Sequence, residues 1–364
     1  MNLSKAAVLA AYRQPLELRE YPVPGVCPGE VLVRVEMAGI CGTDVHLCDG
    51  ELNIPLPVIL GHETVGTIQA IGGSKKDWHG TPLAPGERVT WASSIACGDC
   101  YYCRLKRQPT RCLSRKAYGI SYSADEAPHL RGGYAQYILL RAETAIFRIP
   151  DAVSSESVVG AGCALTTVLH GVEHTLVELG DTVIVQGAGP VGLAAVAVAI
   201  QSGAAKVIVI GAPQRRLELA KEFGAHAVVS VEEIPDAAER KALILADTGP
   251  YGADVVLECV GRPSAVPEGW ELCRDGGRCL VLGQYANSGD IAINPHSITR
   301  KQLQISGSWG FEPRHVDRAI TLLQNPHWQE RFCAEVTHRF PLAQADEAMQ
   351  MARRQQAGKV VITP

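Results

Sequence analysis

The sequence predicts an α/β protein of two domains, one rich in short strands and one built on a doubly wound parallel sheet. Three observations carry that expectation. Near residue 155 the chain changes from short strands broken by Gly and Pro to strands and helices in alternation. The motif Gly187-Ala-Gly189-Pro-Val-Gly192 directly follows an apolar run, Thr182-Val-Ile-Val-Gln186. A length of 364 residues is long for one core and comfortable for two.

Up to about residue 150, the clearest strand candidates are Val31–Val35, Val65–Ile71, Arg88–Trp91 and Tyr134–Leu140. Ser155 to Leu179 then reads as mostly helical, and Thr182–Gln186 as a buried strand. Leu193–Gln201 is expected as a small-residue helix, Lys206–Ile210 as a second strand and Arg216–Phe223 as a further helix. Ala227–Ser230, Ala253–Glu258 and Arg278–Leu282 continue the strand series. Such alternation implies a parallel sheet covered on both faces. The tail, which includes Val316–Leu323 and Ala343–Arg354, closes on the strand Lys359–Ile362.

Composition narrows the functional classes. The net charge is −4, with no long run of either sign, so neither nucleic acid nor an anionic membrane is expected as a partner. The longest apolar stretch, Leu193–Ile200, falls far short of the ~20 residues of a spanning helix. The first residues lack the apolar segment of an export signal. Four of the 12 cysteines cluster at metal-binding spacing, so reduced thiols in the cytoplasm are expected in preference to disulfides.

The glycine motif sits between a strand and an Ala-rich helix, the context a dinucleotide site needs. Gly187 permits the tight turn, Gly189 lets the backbone approach a pyrophosphate, and Gly192 allows close packing of helix on strand. Pro190 and Val191, inside the motif, are further cofactor-binding candidates, and the N-terminus of the helix that follows offers free N–H groups to the phosphates. At the end of the second strand, where an acidic residue would hold the ribose of NAD, stands Gly211. Losing that carboxylate removes its repulsion of a 2′-phosphate, which Arg215 and Arg216 are near enough in sequence to bind. Equally, those arginines could simply begin a helix. NAD and NADP both remain open.

Two sets of metal donors stand out. Cys97-x2-Cys100-x2-Cys103-x8-Cys112 supplies four thiolates within a short segment, which suits tetrahedral zinc and leaves no open position. That site is expected to brace a lobe. Cys41 and His62, within Cys41-Gly-Thr-Asp-Val-His46 and Gly61-His62-Glu63-Thr-Val-Gly66, suggest a second site. Asp44 is a candidate to hold the His62 imidazole. Glu63 is a candidate to bind the metal transiently or help exchange its water. Cys163 is the candidate third ligand, and two Cys with one His leave zinc one open position.

These motifs, in this order and with the closing Gly358-Lys-Val-Val-Ile362, resemble the zinc-containing medium-chain dehydrogenase/reductase family of alcohol, polyol and threonine dehydrogenases. The resemblance covers essentially the whole chain. It implies a GroES-like catalytic domain over residues 1–155 and 304–364, with a structural zinc lobe at about 92–115, and a Rossmann domain over 156–303. It implies two zinc ions, one catalytic on Cys41, His62 and Cys163 and one structural on Cys97, Cys100, Cys103 and Cys112. It also implies NAD(H) or NADP(H), Thr43 bonded to the substrate oxygen, and His46 passing a proton onward through the cofactor ribose. A homodimer or homotetramer is the family's usual assembly. The chain departs from the family in a Cys103–Cys112 loop one residue longer than usual and in Gly211. Cys163 stands where polyol and threonine enzymes usually carry Glu.

The expected activity is hydride transfer between a secondary alcohol or polyol and a nicotinamide cofactor, or reduction of the matching ketone. A zinc-free quinone or enone reductase needs none of Cys41, His62 and Cys163. A non-enzymatic zinc-lobe binding protein would leave Gly61-His62-Glu63, Thr43 and His46 without a role.

Overall fold

The structure, a computed structural model, describes residues 2–354 and 358–364. The chain divides into two compact units: Met1–Cys163 with Glu312–Pro364, and Ala164–Phe311.

The first unit is β-rich, as expected. Its larger sheet is centred on Val31–Ile40, which pairs antiparallel with Glu63–Ile71, Tyr137–Leu140 and Lys359–Thr363. The last strand runs parallel to Val336–Pro341. A smaller sheet joins Leu3–Leu9 to Glu17–Pro22 and to Val58–Ile59. Val31, Val33, Val35, Ile68, Val89 and Ile138 fill one core between these strands. The register matters for the chemistry. Gly39 lies opposite both Glu63 and Val361, so the residues just past Ile40, just before Glu63 and at the start of the last strand come together.

The second unit is a six-stranded, wholly parallel sheet. Its order is Ala227–Ser230, Lys206–Gly211, Thr182–Gln186, Ala253–Glu258, Cys273–Val281, Gln304–Gly307. Chain order reverses between the third and fourth of these strands, which makes the doubly wound topology and places the ligand crevice at their carboxyl ends. Pro190–Gln201 is buried over most of its length, consistent with its run of Ala and Val.

Several elements differ from the sequence expectation. The helical run begins at Ser155 but ends at Val172, not near Leu179, and it is broken at Gly162. The units change over after Cys163 and after Phe311, both later than the expected positions. Gln304–Gly307 explains the second shift, because it pairs with Cys273–Val281 as the sixth strand. Its residues are mostly exposed, so no apolar pattern marks it. Val336–Pro341 escapes notice for the same reason, as only Val336 is buried. Among the described residues no helix is long and apolar enough to cross a membrane.

Candidate active site and metal centres

Cys41 caps the short helix Gly42–Cys48 at the end of the central strand. His62 immediately precedes the neighbouring strand Glu63–Ile71. Because those strands are antiparallel with Gly39 opposite Glu63, the two donors are brought side by side. Cys163 arrives from the break at Gly162, whose φ of 46° and ψ of −147° favour glycine. The donor atoms of Cys41, His62, Glu63 and Cys163 all lie within 4.8 Å of one another, and Cys41 Sγ is 3.3 Å from Cys163 Sγ.

The surroundings are organised around this cluster. Asp44 Oδ2 accepts hydrogen bonds from Cys41 N at 2.9 Å and from Tyr134 Oη at 3.1 Å. Asp44 Oδ1 stands 3.3 Å from His62 Nδ1, at ion-pair distance but without hydrogen-bond geometry, so both buried atoms lack a hydrogen-bond partner. A cation on the far side of the imidazole suits that arrangement, since it would favour a proton on Nδ1 aimed at Asp44. The Cys163 thiol, followed by His62, brings the Cys41 thiol down to about 5 against the opposing effect of burial. Burial works to lower the His62 pKa, yet Asp44 and Cys41 carry it well above its ordinary value. A thiol this ready to ionise beside a second thiol and an imidazole is a donor set that fits zinc.

Glu63 is the residue on which the cluster closes. Its Oε1 accepts from Cys163 N at 2.8 Å, and its Oε2 pairs with Lys359 Nζ at 2.8 Å, both side chains being 1% exposed. A Cβ on Gly39 would stand 2.7 Å from Oε2, and one on Gly162 2.4 Å from Oε1. The carboxylate therefore occupies a slot that only glycines leave open. Burial resists ionisation of Glu63, but the Lys359 ammonium holds its pKa below the usual value; Lys359 in turn is raised.

Thr43 and His46 lie three residues apart on the Gly42–Cys48 helix, a spacing that puts them on one face. His46 Nδ1 is 2.7 Å from Glu51 Oε2 at the surface. A carboxylate partner fixes the proton on Nδ1 and leaves Nε2 to accept in the neutral ring.

Cys97, Cys100, Cys103 and Cys112 form a second cluster with all donor atoms within 4.8 Å. Backbone N–H groups of Cys103 and then Leu113 bring the Cys100 thiol to about 6, and Cys97 is lowered chiefly by the N–H groups of Asp99 and Cys100. Four sulfurs and N–H···S bonds fit a closed structural zinc. The longer Cys103–Cys112 loop is absorbed by the one-turn helix Pro109–Arg111, and Cys112 Sγ still lies 3.5 Å from Cys97 Sγ.

In the second unit the glycine motif makes a tight turn, with Gly187 at φ 111°. A Cβ on Gly192 would stand 1.9 Å from Gly187 O, so the helix can pack this closely only without one. Gly189 caps that helix without a side-chain hydrogen bond, and Pro190 and Val191 begin it. The space beside Gly189 is open except for Arg216 Nη1, 3.6 Å from where its Cβ would be. This cradle fits a dinucleotide phosphate. The two arginines separate: Arg216 reaches over the turn, whereas Arg215 Nη1 pairs with Glu218 Oε2 at 3.3 Å on the exposed side. Gly211 is packed as well as uncharged, because a Cβ there would lie 2.9 Å from Ala188 Cβ and 3.0 Å from its N.

Lys359, Tyr134 and Glu51 escaped the sequence reading. Lys359 stood inside the closing motif, and only its sequence Gly358-Lys359 hinted at more than a strand. Trp91 and Tyr118 are core residues; Tyr118 Oη and Thr144 Oγ1 are hydrogen-bonded at 2.6 Å.

Two family models match the chain. Residues 27–151 match the alcohol dehydrogenase GroES-like domain, and residues 190–325 match the zinc-binding dehydrogenase model. A 5-exo-hydroxycamphor dehydrogenase of Pseudomonas putida is 35% identical, over 97% of this chain and 96% of that protein. The chain belongs to the zinc-containing medium-chain dehydrogenase family. Among solved structures, an alcohol dehydrogenase from Thermotoga maritima covers both chains completely at 34% identity and a TM-score of 0.96. A zinc-binding dehydrogenase from Sinorhizobium meliloti, solved with NADP, covers both completely at 29% identity and a TM-score of 0.86. The chain is thus an oxidoreductase acting on alcohols.

The buried pair yields a stability prediction. Lys359→Met strands the Glu63 carboxylate and is expected to cost about 3 kcal/mol or more in thermal or denaturant unfolding. Lys359→Arg is expected to retain most of that stability. Equal unfolding of Lys359→Met and the unaltered protein would contradict the tie described above.

Proposed function

We propose that this protein is a zinc-dependent secondary-alcohol dehydrogenase and ketone reductase that prefers NADP(H). In this reading Met1–Cys163 with Glu312–Pro364 is the catalytic domain, and Ala164–Phe311 binds the dinucleotide. The observation that carries it is the convergence of Cys41, His62 and Cys163 beside the helix that bears Thr43 and His46.

Cys41, His62 and Cys163 would hold the catalytic zinc, and Cys97, Cys100, Cys103 and Cys112 the structural one. When bound, zinc supplies a Lewis acid that favours the alkoxide of an alcohol or polarises a carbonyl, and the nicotinamide supplies the hydride acceptor or donor. Thr43 bonds the substrate oxygen and takes part in its deprotonation. His46 receives the proton at Nε2, while Glu51 holds the ring through Nδ1. Asp44 orients His62, and Glu63 stands within reach as a further donor when ligands exchange. In the second unit the turn at Gly187, Gly189 and Gly192 receives the pyrophosphate.

Gly211 offers no carboxylate to hold a ribose hydroxyl, and Arg216 over the turn supports binding of a 2′-phosphate. The hydroxycamphor dehydrogenase among the relatives supports a secondary alcohol as substrate. Two thiolate-rich donor sets support a reducing compartment such as the cytoplasm. The family resemblance supports a homodimer or homotetramer. A zinc-free reductase would have no use for the Cys41, His62 and Cys163 set.

A screen of secondary alcohols and ketones at 340 nm, with NAD and NADP in parallel, tests the activity. Cys41→Ser or His62→Ala is expected to lower turnover about a thousandfold or more while dinucleotide binding persists; near-normal turnover in either variant would refute the metal-centre reading. Cys100→Ser is expected to lower the melting temperature while the folded fraction stays active. Arg216→Ala is expected to reduce kcat/KM for NADP about tenfold and leave NAD nearly unaffected. Parallel losses with both cofactors would remove Arg216 from specificity.

A further inference from the structure

We propose that Glu258 is a positioning residue that shapes the seat of the nicotinamide half of the dinucleotide; the inference rests on the dinucleotide reading above. Glu258 ends the strand Ala253–Glu258 and is 3% exposed. Its Oε1 accepts from Val260 N at 2.8 Å and Gly261 N at 2.7 Å, and its Oε2 accepts from Gly283 N at 3.2 Å. Its own carbonyl accepts from Leu282 N at 2.9 Å and Gly283 N at 3.0 Å. One residue therefore binds the loop after its own strand to the loop after the next strand, Cys273–Val281.

No cation pairs with Glu258 among the described residues, so backbone N–H groups alone compensate a buried carboxylate. That is a costly way to join two loops if packing were the only need. The loops themselves are in backbone contact. A Cβ on Gly283 would lie 2.3 Å from Gly261 N and 2.7 Å from Val260 N, and one on Gly261 would lie 2.5 Å from Gly283 O.

The position gives the clamp its meaning. Gln186, Glu258 and Val281 stand in register at the carboxyl ends of three adjacent strands. The order of the sheet reverses between the first two, where a dinucleotide lies across the switch point. Gly211 and Arg216 occupy the side of the adenosine ribose, which leaves the loops after Glu258 and Val281 for the other half. Loop 259–261 also abuts the glycine turn, since a Cβ on Gly187 would lie 3.0 Å from Cys259 C and O. Glu258 touches no ligand; it fixes the height and spacing of the backbone that does.

The test separates the two halves of the ligand. Calorimetric titration of Glu258→Gln with the preferred dinucleotide is expected to show binding about tenfold weaker, because the amide turns donors toward N–H groups. Binding of the adenosine half alone, adenosine 2′,5′-bisphosphate for NADP or 5′-AMP for NAD, is expected to stay within about twofold. Gly283→Ala, which forces the same loops apart from the opposite side, is expected to show the same selective loss. Parallel loss of both ligands, or no loss of either, would overturn the inference. In the unaltered protein, the amides of 259–261 and 282–283 should exchange more slowly with the whole dinucleotide but not with the adenosine half. Unchanged exchange would overturn the inference even if both variants failed to fold. If the unaltered protein bound neither ligand, the dinucleotide reading itself would fail.

Discussion

The buried ion pair between Glu63 and Lys359 is the constraint on which the proposed metal centre depends. It spans 296 positions of sequence and ties the start of one strand to the start of the last. The same carboxylate holds the backbone of Cys163, so the segments of His62 and Cys163 share one electrostatic anchor with the end of the chain, while the strand before Cys41 pairs beside it through Gly39. Such a pair is expensive to desolvate and gives little net stability against an apolar replacement. Its value is in specificity: a carboxylate kept charged beside two thiols and an imidazole must have one cation in a fixed place.

The same logic recurs in the parallel sheet. Glu258 is buried like Glu63 and likewise accepts from backbone N–H, but no lysine pairs with it among the described residues. In both places a carboxylate gathers backbone N–H from other segments, and glycines make the approach possible. The two clusters of cysteines divide differently. At Cys97–Cys112 the sulfurs receive N–H groups from their own loop, which makes a self-contained lobe. At Cys41 the environment comes from distant parts of the chain, as a site that must keep a position open requires.

Much of this was legible in the sequence because the chemistry there is local. Cys97, Cys100, Cys103 and Cys112 carry their spacing with them, and the glycine turn announces itself between a strand and a helix. The alternation of strands and helices gave the parallel sheet for similar reasons. What remained hidden was long-range or weakly patterned. Lys359 reads as the polar start of a strand, and nothing local says that it reaches Glu63 across the bare Gly39. Arg215 and Arg216 are equivalent on paper; only the helix phase sends one over the turn and the other to Glu218. The break at Gly162 was invisible because a small-residue run, Gly160-Ala-Gly-Cys-Ala164, reads as helix throughout.

Zinc X-ray absorption of the purified, unaltered protein tests the central claim most directly. The account predicts two zinc ions per chain and an averaged first shell of sulfur at about 2.3 Å mixed with nitrogen or oxygen at about 2.0 Å. A single zinc per chain with sulfur ligands alone would contradict it, because only the Cys97–Cys112 lobe would then hold metal.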